Sequence, residues 1–141
     1  MIADQKKLRV LIVENEFLLQ LVAEDLLQQL GHEAIGWATR ASSAIAETER
    51  KRPDCVLMDI ELDGARDGID AARHIKEKFG VRSLFMTGSS SEEIARRARN
   101  AKPLGYLQKP LSLSALESAL APLAGGGDVE FSGESRKSES R

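Results

Sequence analysis

A group of polar residues follows short apolar segments of the chain and could together handle a phosphoryl group. Its members are Glu14, Asn15, Asp59, Thr87 and Lys109. Carboxylates bind Mg²⁺ together with water and phosphate oxygens, while a hydroxyl and an ammonium hold phosphoryl oxygens. A carboxylate can also be the nucleophile that forms an acyl phosphate. The group therefore predicts phosphoryl transfer with Asp59 as the acceptor.

Each of these residues has a simpler interpretation when it is taken alone. An aspartate after a strand is usually a cap or turn residue, a threonine there is usually a turn hydroxyl, and a lysine before proline is usually solvated. Single residues are weak signals of function. Their joint occurrence at the ends of predicted strands favours a site over five separate surface residues.

Short apolar runs alternate with helical periodicity along the chain. The predicted strands cover residues 8–13, 33–38, 55–59, 83–86 and 106–108, and the predicted helices cover about 16–30, 41–51, 69–79, 90–100 and 113–123. This alternation is typical of parallel strands joined by right-handed crossovers in a three-layer, doubly wound α/β domain. Such sheets bind ligands at the carboxyl ends of their strands, which is where we expect the polar group.

The apolar spacing also predicts which helix faces are buried and where helices begin and end. In the first helix the predicted buried stripe is Leu18, Val22, Leu26 and Leu30, with Leu21 on the same side. In the last helix it is Leu113, Leu116, Leu120 and Leu123, and Pro122 with the glycines at 125–127 is predicted to end the helix. Gly64 and Gly68 are assigned to a pliable loop after the third strand, and Ser90 with Glu93 has the capping-box spacing of a helix start.

The composition describes one ordinary globular domain. The chain has 141 residues, 42% of them hydrophobic and 30% charged, with a formal net charge of −2, which gives no basic footprint for nucleic acid. Cys55, the single cysteine, lies in an apolar run and is predicted to be a packed core thiol. We expect an ordered domain over 1–124 and a flexible Gly- and Ser-containing tail over 125–141. The sequence shows no signal peptide and no membrane span, so the expected location is the cytoplasm.

Four motifs of the chain resemble one known family. They are Val13-Glu14-Asn15-Glu16, Leu57-Met58-Asp59, Phe85-Met86-Thr87-Gly88 and Tyr106-Leu107-Gln108-Lys109-Pro110. As a set they are similar to the receiver domain of two-component response regulators, of the chemotaxis-regulator type, over about residues 8–123. The resemblance implies a flavodoxin-like sheet with the strand order 2-1-3-4-5. It also implies that Asp59 accepts phosphate from a histidine kinase or a histidine phosphotransfer protein, and that the chain is no enzyme beyond slow autodephosphorylation.

The resemblance further implies a set of metal ligands. Glu14, Asp59 and the backbone carbonyl of Glu61 match the positions that bind Mg²⁺ in this family. The family usually carries a second acid in the first loop, whereas this chain has Asn15, whose amide oxygen can coordinate a metal but brings no charge. We therefore expect Mg²⁺ to bind more weakly here than in receivers with two acids.

The same resemblance assigns a phosphoryl contact to Thr87 and Lys109 and a switch to Thr87 and Tyr106. The ring of Tyr106 is expected to turn inward when Thr87 moves toward the phosphate. The Lys109-Pro110 bond matches a position that is usually cis in the family. The surface of the fourth helix, fifth strand and fifth helix, with Arg96, Arg97, Arg99 and Lys102, would then meet an acidic downstream protein partner or form a homodimer with a second receiver.

Three other interpretations stay open at this point. The chain could be a receiver cut from a larger regulator or hybrid kinase, with the tail as its linker. It could be a pseudo-receiver that acts as an interaction module without phosphorylation, which Asn15 makes conceivable. A flavodoxin-like cofactor binder would share the fold, but the acids after the first strand would repel a flavin phosphate.

Overall fold

A computed structural model describes residues 5–62, 67–88 and 92–125 of the chain. Within them, five strands alternate with five helices. The elements are β1 (Arg9–Val13), α1 (Phe17–Gln29), β2 (Glu33–Ala38), α2 (Ala41–Lys51), β3 (Cys55–Asp59), α3 (Asp67–Phe79), β4 (Arg82–Thr87), α4 (Glu92–Arg99), β5 (Gly105–Gln108) and α5 (Leu113–Ala124). The predicted cap Ser90 and the tail after Gly125 lie outside the described residues.

The sheet is fully parallel and has the strand order β2-β1-β3-β4-β5, which confirms the predicted fold. One core layer lies between the sheet and α2, α3 and α4, and the other lies between the sheet and α1 and α5. The chain order reverses between β1 and β3, which are hydrogen-bonded neighbours. Because all strands run the same way, their carboxyl ends meet at one edge, and the reversal opens a crevice there.

The buried face of α1 differs from the predicted leucine stripe. Its buried residues are Ala23 and Leu27, whereas Leu18 is 73% exposed. Leu26 and Leu30 pack partly against the core. Ala23 and Leu27 face the core, and the large apolar residues of the first two turns are left exposed to solvent. We call these residues, Phe17, Leu18, Leu21 and Val22, the outer α1 face.

The last helix continues past the proline that was predicted to end it. Pro122 lies inside α5, and the helix ends at Gly125, the first of the glycines that were predicted to end it, which has a left-handed backbone with φ 72°. Pro122 is exposed, so the carbonyl group that loses its helical partner at the proline can bond water. The buried stripe is Leu116, Leu120 and Ala124, which confirms part of the predicted stripe and leaves Leu113 at the surface.

Gly68 lies in the first turn of α3 and not in a loop. A Cβ atom at this position would lie 2.9 Å from the Cα atom and 3.0 Å from the carbonyl oxygen of Ile60, and would also overlap the carbonyl oxygen of Asp59. Only glycine lets α3 begin this close to the end of β3. The residue therefore sets the distance between the helix and the backbone that carries Asp59.

The edge strand β2 contains a bulge at Ile35. Val10 pairs with Ala34 and Leu11 pairs with Gly36, so Ile35 has no partner in β1. Its carbonyl oxygen accepts a hydrogen bond from Nζ of Lys51 in α2, at 2.9 Å. The lysine thus satisfies a backbone group that the irregular ladder leaves without a strand partner.

Two further predictions concern burial and membranes. Cys55 is fully buried in β3, and burial, with the nearby Asp54 charge, raises the pKa of its thiol to about 12, which confirms a packed core thiol. Among the described helices, none is long and apolar enough to cross a membrane.

Candidate functional site

Three of the predicted site residues meet at the carboxyl edge of the sheet. Asp59 is the last residue of β3 and Glu14 follows β1 directly, and their side chains are 2% and 0% exposed. Lys109, just after β5, places its Nζ atom 3.0 Å from Glu14 Oε1 and 3.2 Å from Asp59 Oδ2. The parallel strands β1, β3 and β5 end at the same edge of the sheet, which brings these residues together although they are far apart in the sequence.

The charged groups of this site shift one another's pKa values. Burial raises the pKa of Glu14 above its usual value, and the Asp59 charge adds to this, while Lys109 and the backbone N–H of Glu16 act in the opposite direction. Burial on its own lowers the pKa of Lys109, but the two carboxylates outweigh it, so the pKa of this ammonium is raised. The site therefore holds two buried acids around one internal cation.

Backbone contacts fix the acids in place. The Glu16 N–H donates to Glu14 Oε2 at 3.1 Å, and the Glu61 N–H donates to Asp59 Oδ1 at 2.9 Å. Gln20, in the second turn of α1, donates from its Nε2 to the carbonyl oxygen of Glu14. Gln20 is a positioning residue that was not predicted, because nothing in the sequence marks this one glutamine among the polar residues of α1.

One buried oxygen of the site fits a metal ligand. Glu14 Oε1 forms an ion pair with the Lys109 ammonium at 3.0 Å and accepts no hydrogen bond from any other described group. Within the described ranges no cluster of three or more His, Cys, Asp or Glu side chains is arranged to hold a metal. Mg²⁺ needs only one or two carboxylates when water and phosphate oxygens complete its shell. Glu14 and Asp59 are thus sufficient as charged ligands.

The other predicted metal ligands lie at the rim. Asn15 and Glu61 are both exposed. A Cβ atom on Gly88 would lie 3.9 Å from Glu61 Oε1, so the Glu61 carboxylate lies close to the end of β4. The geometry is compatible with the predicted roles of the Asn15 side chain and the Glu61 carbonyl, which stay predictions.

The predicted switch residues lie on β4 and β5. Thr87 ends β4, and its carbonyl oxygen accepts the Lys109 N–H at 2.9 Å. The Tyr106 ring is 43% exposed and stacks on buried Phe85 with a centroid distance of 6.1 Å. Its hydroxyl donates to the Ala95 carbonyl in α4 at 3.5 Å. Tyr106 thus links β5 to α4 from an outward position, and its inward rotation stays a prediction. The Lys109-Pro110 bond is cis, as the resemblance implies.

Comparison with known proteins finds relatives of this chain among regulatory proteins and receiver domains. The chain is 38% identical over 112 residues to the transcriptional regulatory protein PdtaR of Mycobacterium tuberculosis, which covers 79% of this chain and 54% of that protein. This chain therefore spans about half the length of that curated relative. Among solved structures, the signal receiver domain of a modulated diguanylate cyclase from Desulfovibrio desulfuricans superposes with a TM-score of 0.77 at 31% identity, covering 84% of this chain and 94% of the other.

A second solved structure contains a metal ion. The receiver domain of the sensor histidine kinase PA1611 from Pseudomonas aeruginosa, with a magnesium ion coordinated in its active-site cleft, matches with a TM-score of 0.73 and 26% identity, over 84% of this chain and 98% of the other. The response regulator receiver domain family matches residues 10–121 of this chain. The chain therefore belongs to the response regulator receiver domain family.

Proposed function

We propose that this chain is a phosphoryl-accepting receiver in which Asp59 forms an acyl phosphate. The observation that carries the proposal is the buried triad at the sheet edge, in which the Lys109 ammonium lies within 3.2 Å of carboxylate oxygens of both Glu14 and Asp59. A structural ion pair needs only one acid. A second buried acid with a raised pKa costs stability. Its presence is explained if the site binds a metal ion and a phosphoryl group.

The transfer itself follows from these groups. A carboxylate oxygen of Asp59 attacks the phosphorus of a phosphohistidine, the new O–P bond forms, and the P–N bond breaks with its electron pair returning to the imidazole. Lys109 contacts Asp59 already and would neutralise a phosphoryl oxygen, while the Thr87 hydroxyl would donate a hydrogen bond to another. Mg²⁺, held by Glu14, Asp59, the Glu61 carbonyl and Asn15, would supply further charge neutralisation.

The outer α1 face fits the protein that donates the phosphoryl group. Its four large apolar side chains are exposed beside the site, since Phe17 follows Glu14 by only three residues. Residues 14–29 include Glu14, Glu16, Glu24 and Asp25 but no Lys or Arg. The donor would be a histidine kinase or histidine phosphotransfer protein whose helix presents apolar residues flanked by basic ones.

Output would leave through the opposite side of the site. Tyr106 connects β5 to the Ala95 carbonyl of α4, so a change at Thr87 can reach the surface of α4, β5 and α5. We propose that this surface contacts a downstream protein or a second copy of the receiver. Slow loss of the phosphoryl group to water would reset it.

The direct test is phosphorylation of the full chain by acetyl phosphate with Mg²⁺. We expect incorporation of a phosphoryl group that is stable to acid and labile to base and hydroxylamine, as an acyl phosphate is. Asp59→Asn should abolish it, whereas Asp25→Asn, at an exposed site on α1, should not. Equal incorporation in the Asp59→Asn protein would disprove the assignment, and absence of incorporation in the parent would favour the pseudo-receiver.

A further inference from the structure

The basic residues of α4 and of the turn after it divide between two surfaces. The sequence placed Arg96, Arg97, Arg99 and Lys102 together on the side of β5 and α5. In the fold, that side of α4 carries the Ala95 carbonyl that meets Tyr106. Arg97 and Lys102 line cavities against α3 instead. Positive charge is therefore present on the α3 side of the helix, away from the predicted output surface.

Two adjacent cavities form a groove between α3 and α4. The larger has a volume of about 340 Å³ and is lined by Ile69, Asp70, Arg73, Arg97 and Asn100. The smaller, of about 120 Å³, is lined by Arg73, Lys76, Glu77, Asn100, Ala101 and Lys102. Arg73 and Asn100 belong to both. We call the two together the α3–α4 groove.

The charges of the groove are available to a ligand. Arg73 pairs with Asp70 at 3.6 Å, but both side chains are more than half exposed, so water and salt weaken the pair. Lys76, Arg97 and Lys102 have no carboxylate at ion-pair distance within the described part of the chain. Among its described lining residues the groove thus offers four cations against two acids, Asp70 and Glu77, in a chain whose net charge is −2.

We propose that the α3–α4 groove binds an acidic peptide segment of a partner protein. The acids on its walls would repel the continuous phosphate charge of a nucleic acid but can face the uncharged positions of a peptide. The Asn100 amide offers a donor and an acceptor to the peptide backbone. Between Ile69 and Glu77 the groove runs for about 12 Å along α3, which matches about four extended residues. Carboxylates at alternate positions of such a peptide lie on one side and reach Arg73 and Arg97 together.

The test is fluorescence anisotropy of the full, unphosphorylated chain with a fluorescein-labelled peptide of four Glu-Ala repeats. The matched Gln-Ala peptide and a five-nucleotide single-stranded RNA are the comparison probes. We expect the Glu-Ala peptide to bind most tightly and to weaken as salt is raised. Because Asp59 takes no part in this binding, the result is independent of phosphorylation.

Variants locate the binding. Arg73→Gln/Arg97→Gln should reduce affinity for the Glu-Ala peptide roughly tenfold, and Lys76→Gln roughly twofold, as expected for exposed charge pairs. Lys7→Gln/Arg50→Gln removes the same charge at exposed sites outside the groove and should leave affinity nearly unchanged. An equal loss in this control, equal binding of the Gln-Ala peptide, or tighter binding of the RNA through Arg73 and Arg97 would overturn the proposal.

Discussion

Gly68→Ala tests how closely α3 must approach the strand that carries Asp59. The added Cβ would lie 2.9 Å and 3.0 Å from backbone atoms of Ile60, while carbon contacts are most favourable at about 3.5–4.0 Å. The atoms it meets belong to the backbone of β3 and the residue after it, so no side chain can rotate to relieve the overlap. The start of α3 or the end of β3 has to shift by about 0.5–1 Å.

The cost can be worked from these contacts. Overpacking of this kind costs about 1–3 kcal/mol, and the closest contact, with the Asp59 carbonyl oxygen, puts Gly68→Ala near the upper end. The better helix propensity of alanine returns up to about 1 kcal/mol. We expect a net loss of about 2 kcal/mol in the free energy of unfolding, which lowers the Tm by roughly 6–8 °C for a domain of this size.

Urea denaturation and thermal melting followed by circular dichroism measure this loss. Gly88→Ala is the matched control, because among the described residues its Cβ would meet only Glu61 Oε1, at 3.9 Å, and it should change stability little. Because the Asp59 backbone is displaced, Gly68→Ala should also slow phosphoryl incorporation from acetyl phosphate. Gly88→Ala is a control for the stability measurement alone. A Gly68→Ala protein as stable as the parent would refute the argument that α3 needs glycine for its close approach.

Three further predictions use other contacts of the fold. Lys51→Met should lower the free energy of unfolding, measured in urea, by about 1 kcal/mol, because the Ile35 carbonyl loses its donor. The variant Arg50→Met, at the exposed neighbouring position, should lose less. Equal losses would argue against a role for the bulge contact. Burial lowers the pKa of His32 below 6.5, and its Nδ1 accepts the Leu8 N–H. As the pH falls, His32 is therefore protonated in the unfolded chain before it is protonated in the folded one. The free energy of unfolding should fall as the pH drops below about 6.5. Urea titrations at pH 7 and pH 5 should show a smaller fall in the free energy of unfolding for His32→Gln than for the parent. An equal fall in the two proteins would contradict this. Asn15→Asp should bind Mg²⁺ roughly tenfold more tightly in a titration followed by Trp37 or Tyr106 fluorescence, and identical affinities would rule out the charge argument.

The parallel fold and the site edge could be predicted because they depend on local patterns. The sequence placed β2 and α2 at residues 33–38 and 41–51, and the structure has the same bounds. The alternation of strands and helices then fixes which loops share an edge. For this reason Glu14, Asp59 and Lys109 could be grouped from their positions after apolar runs, before any distance between them was known.

The parts that could not be predicted depend on contacts between distant segments. The periodicity of Leu18 and Val22 indicates an amphipathic helix but not which face meets the sheet, and here the small Ala23 takes that place. Gly68 looks like a loop residue because its conflict with the Ile60 backbone exists only after α3 has packed. Arg97 could be assigned to a basic helix, but the side of α4 that it shares with α3 follows from the tertiary fold.

The bulge at Ile35 sets the register of β2 at the edge of the sheet that carries the candidate site. Without the extra residue, Val13 would pair with the bulky Trp37. With it, Val13 pairs with the small Ala38, whose carbonyl oxygen accepts the Glu14 N–H at 3.0 Å. Lys51, at the far end of α2, thereby helps to position the backbone of Glu14, although Lys51 itself lies outside the site.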